Sequence, residues 1–526
     1  MGPHVVDPHI DVAIIGAGFA GIGLGIQLKR KGGVTFRLFE RARDVGGTWR
    51  DNRYPGVACD VPSHLYSYSF VPNPDWSRVF APGAEILDYL RRAVRDEGLS
   101  PHLSLDTEVR DIRWSEVDAL WNVTTTAGSY TAGSVVMAAG RLAEPVIPAV
   151  DRLDTFTGLA FHSARWPDDL ESVDLAGKRV GVVGTGSSAA QLIPRIAAAG
   201  ADVVVFQRSA SWVLPREDRE FATDEKVEFA QHPSSREVLR ESLFATAEEG
   251  FDARAMVPGP LAALRDRALA HLEAQVADSR LRALLTPDYE IGCKRVVISD
   301  DFFPALTGGN VVLEPSALRS VDGDRVVAGS GATHELDVLI FATGFNSTRP
   351  SYARFVFGRH GGSLDEHWQS GMTAFASTVV HGFPNFFILN GPNATLGHNS
   401  AIHMMESQFG YVLGALDHLA AGGLPLDVTA EAESDYVREL DERSASTVWK
   451  VGGCTSWYVD ARSGRLTLIW PGRAGEFRER NGTFDAAPFA AAAAVAVATD
   501  VAVATDVAVS ARYPAEIAKS PPIPTR

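Results

Sequence analysis

Cysteine is scarce in this chain: Cys59, Cys293 and Cys454 are the only three among 526 residues. None stands in a CxxC pair, which disfavours a thioredoxin-like redox couple and a zinc ribbon, and no metal site is expected. An odd, sparse set suits a reducing compartment. Positive charge is short as well, the formal net charge being -16. Such a surface repels polyphosphate and disfavours non-specific nucleic-acid binding, while leaving room for a local basic pocket that takes a phosphorylated small molecule. No run of about 20 apolar residues is present, so no membrane-spanning helix is expected. The first ten residues lack a basic stretch followed by an apolar core, and Val6 stands where a myristoylation signal needs Ser or Thr. Together these absences lead to the expectation of a cytoplasmic globular protein.

What is present is one plan used twice. Residues 12–15 form a short apolar run suited to a buried parallel strand, 16–21 open a helix, and 35–39 read as a second strand closed by Glu40. The plan returns as strand 179–183, turn 184–189, helix 191–199 and strand 203–206. Two such starts predict an α/β chain with two Rossmann-like dinucleotide-binding domains. Residues from about 220 to 290 are rich in Glu, Arg, Ala and Leu and read as a helical insertion in the second domain. Short strands are expected at 311–313, 325–327 and 337–342, and a long helix at 400–419. The expected division is 1–150 and 336–486 for the first domain in two parts, 151–335 for the second, and a low-complexity tail over 487–526.

Gly16, Gly18 and Gly21 form GxGxxG between a strand and a helix. The first glycine allows the tight turn, the second lets backbone approach a pyrophosphate, and the third lets helix pack on strand. The helix N-terminus then offers free N–H groups and a positive dipole to phosphates. Glu40, at the end of the next strand, can accept hydrogen bonds from a ribose. Gly46-Gly47-Thr48-Trp49 follows and adds backbone donors near a diphosphate, an arrangement that resembles the two-dinucleotide-binding flavoproteins and so implies FAD; packing in the core is the other reading of Trp49. In the second motif, Gly184, Thr185, Gly186, Ser187, Ser188 and Ala189 spell GxGxxA. Its second strand ends in Gln207-Arg208-Ser209, without an acid. Arg208 can pair with a ribose 2′-phosphate that a carboxylate would repel, so NADPH is favoured over NADH. A solvated surface arginine is the bland alternative.

Between the two motifs, residues 156–167 read Phe-Thr-Gly-Leu-Ala-Phe-His-Ser-Ala-Arg-Trp-Pro. This resembles FxGxxxHxxxWP, the fingerprint of type I Baeyer–Villiger monooxygenases, which are similar to the flavin-containing monooxygenases. The resemblance runs from about Asp11 to Arg478, through Lys294-Arg295, Gly391-Pro392-Asn393 and Cys454-Thr455-Ser456-Trp457-Tyr458. It implies a two-dinucleotide-binding flavoprotein that uses FAD, NADPH and O2 to turn a small ketone into an ester or lactone through a C4a-peroxyflavin. It further implies that Arg295 sits over the flavin and stabilises the oxygen-centred negative charge, and that Asp60 pairs with that arginine. Tyr66 is implied as a flavin contact, Lys294 as a partner of the NADPH 2′-phosphate, and Trp449 as a neighbour of the nicotinamide ribose. His162 is implied as a linker residue, not a general base, and Asp337 as a supporting residue. Residues 397–400, Gly-His-Asn-Ser, are a polar stretch without an assignment. An N- or S-oxygenase acting on an amine or sulfide could use the same parts. A non-catalytic flavin-binding protein is the remote alternative, against which Arg208 and Lys294 speak. The absent CxxC disfavours a disulfide reductase.

Overall fold

The computed structural model describes residues 7–489. The extreme N-terminus read for a leader and the Ala/Val-rich tail from residue 490 lie outside the described residues. Strand β1 (His9–Ile15) is buried along most of its length. It pairs in parallel with β2 (Phe36–Phe39) on one side and β3 (Gly128–Met137) on the other. A central strand of this kind is covered on both faces, so both rows of side chains must be apolar; hence the continuous run at 12–15 rather than an alternating one. Helix α1 (Phe19–Lys31) joins β1 to β2 and ends in Lys29, Arg30 and Lys31, cations at the negative end of its dipole. Among the described residues this sheet holds eight strands, with 103–104 at one edge and 356–357 at the other; Phe386–Ile388 also pairs with β3.

The second sheet is entirely parallel. It comprises β4 (Leu159–His162), β5 (Arg179–Val183), β6 (Asp202–Phe206), β7 (Val311–Glu314) and β8 (Val338–Phe341), in the spatial order β7-β6-β5-β8-β4. Helix α2 (Ser187–Ala198) follows β5. The chain then runs through α3 (Thr223–Gln231), α4 (Pro233–Arg254), α5 (Pro258–Gln275) and α6 (Ser279–Leu285). Pro233 and Pro258 stand at the start of their helices, where the missing N–H would have had no intrahelical partner. Helix α7 (Ala401–Ala420) packs back against α1, its Phe409 ring lying where a Cβ on Gly23 would be. The fold is thus α/β with two Rossmann-like sheets.

Two features depart from the sequence reading. The expected border between residues 335 and 336 falls ahead of β8, which belongs to the second sheet: Val338 pairs with both Val180 and Leu159. Second, Cys293 and Cys454 form a disulfide, leaving Cys59 as the free, buried cysteine. Spacing could not suggest this pair, since 161 residues separate the two. Among the described residues no helix is long and apolar enough to cross a membrane.

Candidate active site

The two glycine turns solve the same steric problem. Gly16 has φ +110°, and a Cβ there would stand 2.6 Å from the Ala138 carbonyl oxygen; Gly184 has φ +113°, with the Ala342 carbonyl oxygen at 2.6 Å. Only glycine fits either place. A Cβ on Gly21 would meet the Gly16 carbonyl oxygen at 1.9 Å, so α1 rests directly beneath the turn. Neither α1 nor α2 carries a side-chain cap, and their N-caps are Gly18 and Gly186. The first-turn N–H groups of both helices are therefore open to an anion. These are the requirements of a dinucleotide diphosphate, and both turns meet them.

Gly16, Gly18, Glu40, Gly47, Thr48, Trp49 and Tyr66 line one cleft of about 280 Å³. Gly21 lies beneath it. Glu40 is buried and accepts N–H bonds from Ala17 and Ala42, each at 3.0 Å, while Arg50 pairs with it at 3.0 Å. Its carboxylate thus braces the first turn as well as facing the cleft, a role its sequence position did not suggest. The Trp49 indole N–H donates to the Tyr66 hydroxyl at 3.3 Å, and Phe19 meets the Tyr66 ring edge-on at 5.2 Å.

Arg295 and Asp60, 235 residues apart, meet in a bidentate pair: Nε and Nη2 each donate to one carboxylate oxygen at 2.7 Å. Burial opposes the charged form of Asp60, but the charge and hydrogen bonds of Arg295 outweigh it and hold the carboxyl below its ordinary value. The Asp60 charge in turn raises the guanidinium above its usual range. Both partners are held from outside. Gln191 on α2 accepts from the Tyr54 hydroxyl at 2.9 Å and donates to the Ala58 carbonyl at 3.0 Å, and Arg216 donates to the Cys59 carbonyl at 3.1 Å. On the other side, Cys293 is bonded to Cys454, and its carbonyl accepts from Ser456 at 3.0 Å. Tyr66 and Tyr458 both lie within electrostatic reach of the pair, and burial pushes both phenols up.

The second cluster gathers at the start of α2. Thr185 donates to the Ser209 carbonyl at 3.1 Å, and Lys294 donates to the Ser209 hydroxyl at 2.7 Å. Burial and the charge of Arg208 push the Lys294 amine down, so the two cations are close together. Arg208 is exposed and has no ion-pair partner among the described residues. Gly186, Ser187 and Ser188 open the helix beside them. Asp288 also bears on Lys294, but neither cation is taken up in an ion pair among the described residues, and two such cations beside free helix N–H groups fit a phosphorylated ribose.

Trp449 is buried, with its indole N–H unpartnered and its ring 3.2 Å from where a Gly397 Cβ would be. The structure therefore puts it beside the 397–400 stretch rather than in the first cleft. There Asn399 donates to Glu248 at 2.8 Å, His398 lies 3.3 Å from the same carboxylate, and Ser400 caps α7. His162 is buried, accepts the Ala164 N–H and meets the Phe345 ring edge-on. Burial drives its imidazole down to about 4. Arg179 donates to both oxygens of Asp337, which is thereby a structural brace of the second sheet. Two cations near Arg295 escaped the sequence reading. Arg254 donates to the Gly250 carbonyl at 2.8 Å, and Arg141, just after β3, donates to the Thr395 hydroxyl. A lone arginine directly after a buried strand was the available signal for Arg141.

The family model for pyridine nucleotide-disulphide oxidoreductases matches residues 13–231. A Baeyer-Villiger monooxygenase of Streptomyces coelicolor is 43% identical over 486 residues, covering 92% of this chain and 93% of the relative. A Baeyer-Villiger monooxygenase of Pseudomonas aeruginosa is 40% identical over 483 residues, covering 91% of each. Among solved structures, an oxidized steroid monooxygenase bound to NADP is 32% identical with a TM-score of 0.78, covering 90% of this chain and 96% of that one. Identity of this order across nine-tenths of the length, on the same two-sheet architecture, means that the chain belongs to the Baeyer–Villiger monooxygenases.

Proposed function

We propose that this monooxygenase uses FAD and NADPH to insert one atom of O2 beside the carbonyl of a small organic ketone, giving an ester or lactone. The observation that carries this reading is the bidentate Asp60–Arg295 pair, with Tyr66 of the dinucleotide cleft within its electrostatic reach. Bound FAD supplies acceptance of hydride from NADPH and activation of O2. Gly16, Gly18, Glu40, Gly47 and Thr48 would hold that cofactor, with Trp49 and Tyr66 walling the cleft. Gly184, Thr185, Gly186, Ser187 and Ser188 would take the NADPH diphosphate, and Arg208 with Lys294 its 2′-phosphate. Trp449 would close the nicotinamide side. The fixed Arg295 charge opposes negative charge that develops on oxygen, and Asp60 holds the guanidinium so that little reorganisation accompanies the reaction. Domain borders follow the sheets: the FAD-binding part takes residues up to about 150 and again after 341, and the NADPH-binding part takes what lies between. We place the protein in the cytoplasm, where NADPH is regenerated; the Cys293–Cys454 bond is the one feature at odds with that placement.

The test is product analysis. The purified protein should be yellow, oxidise NADPH faster when a ketone is added, and convert members of a ketone panel to esters or lactones that carry isotopic label from heavy O2. A protein that stays colourless when offered FAD, or that yields labelled sulfoxides and N-oxides but no ester, overturns the reading.

A further inference from the structure

Among the described residues, the guanidinium of Arg141 is left without a counter-charge in the middle of the site. Thr395 accepts one of its five N–H bonds, through Nη2. Nε and Nη1 are buried and have no acceptor among the described residues. The groups that bear on it electrostatically are Tyr458, Arg295 and Tyr66, with no carboxylate among them. Asp60 is already committed to Arg295 through both oxygens, and Glu248 is taken up by Asn399 and by the backbone of Ala474 and Gly475. Arg141 lines the dinucleotide cleft on one side and, on the other, a smaller pocket whose walls include Met137, Tyr352, Met372 and Leu468.

A guanidinium cannot escape burial by giving up its proton near neutrality. Burial pushes Arg141 down only to about 10, so it stays charged. A buried charge without a partner is strongly unfavourable, so a bound molecule must supply the acceptor. An oxidised flavin ring offers neutral acceptors, and the negative charge that arises during turnover already faces Arg295. The permanent anion of the cofactor, its diphosphate, belongs at Gly18 and the start of α1, whereas Arg141 has Tyr66, Tyr458 and Arg295 as neighbours. A permanent cation at this place calls for a permanent anion on the substrate. The donor geometry agrees. Whichever Nη2 hydrogen Thr395 takes, the other completes a two-pronged fork with Nε or with Nη1, and such a fork matches a carboxylate.

We propose that Arg141 forms an anion-reading subsite and that the ketone oxidised by this enzyme carries a carboxylate. The proposal rests on the Baeyer–Villiger reading above and names its substrate class.

The experiment pairs 4-oxocyclohexanecarboxylate with its methyl ester, and levulinate with methyl levulinate, in the FAD-loaded enzyme. Wild type should favour the acids in kcat/KM by about tenfold or more, the scale of a charge-assisted pair. Arg141→Met should bring that ratio to about one or below, and Arg141→Lys should restore part of it. Calorimetry with cyclohexanecarboxylate, which cannot be oxygenated, reads the subsite without turnover: binding to wild type and its loss in Arg141→Met support the proposal even if no probe is converted. That last result would count against the Baeyer–Villiger reading and not against the subsite. An acid-to-ester ratio near one in wild type, together with no carboxylate binding, overturns the proposal. So does an Arg141→Met variant that keeps the ratio but binds FAD more weakly or shifts its reduction potential, which would assign the charge to the cofactor instead.

Discussion

Replacing Arg295 by alanine removes two hydrogen bonds of 2.7 Å to Asp60 together with the positive charge beside Tyr66 and Tyr458. Loss of one fixed donor facing a developing oxygen anion costs about 2.7–4 kcal/mol, or about 100- to 1,000-fold in rate. Hydride transfer from NADPH makes no such demand on Arg295, so NADPH consumption should fall far less than ester formation, with hydrogen peroxide appearing in place of ester. Stability should fall too. Stranding a fully buried carboxylate costs about 3–5 kcal/mol. The Arg295 and Asp60 side chains are 32% and 23% exposed, and water reaching them screens part of that, leaving about 1–3 kcal/mol. Ester and peroxide yields per NADPH consumed test the first claim. Urea unfolding of Arg295→Ala, Asp60→Ala and the double variant tests the second. The double variant should be less destabilised than the sum of the singles, because the second change removes the charge that the first one strands. A wild-type ester yield per NADPH in Arg295→Ala would refute the assigned role, and strictly additive stabilities would refute the coupling.

Arg208→Glu should raise the KM for NADPH by about 10- to 100-fold and leave that for NADH much less affected, as steady-state rates with both nucleotides would show; equal effects would remove Arg208 from the phosphate. Burial drives His64 and His162 down to about 4 and His403 to about 3, from 6.5. Between those values the unfolded chain holds more protons, so the stability from keeping these rings neutral is complete above about pH 6.5 and falls by about 2 kcal/mol per ring at about pH 5. Unfolding midpoints that stay flat from pH 7 to pH 5 would contradict this. Thiol titration in denaturant should find one thiol, Cys59, before reduction and three after it.

The legible part of this protein is its local part. Gly16 and Gly184 announce themselves because a turn at positive φ against a neighbouring carbonyl admits no side chain, and the apolar runs beside them show which strands are covered on both faces. The helices over 223–285 show in composition alone. Illegible from spacing were pairings made across the fold: Asp60 with Arg295 over 235 residues, which only family resemblance suggested, and Cys293 with Cys454 over 161. The strand at Val338–Phe341 was expected but its place in the second sheet was not, because strand order in a sheet depends on crossovers that a run of four apolar residues does not encode. Arg141 is the extreme case. In sequence it resembles Arg165, another arginine shortly past a strand, yet Arg165 donates to the Ala143 and Ala164 carbonyls while Arg141 keeps two nitrogens unpartnered among the described residues. What sets Arg141 apart is the carboxylate that no neighbouring element supplies, and a missing partner becomes visible only when every surrounding chain segment is in place.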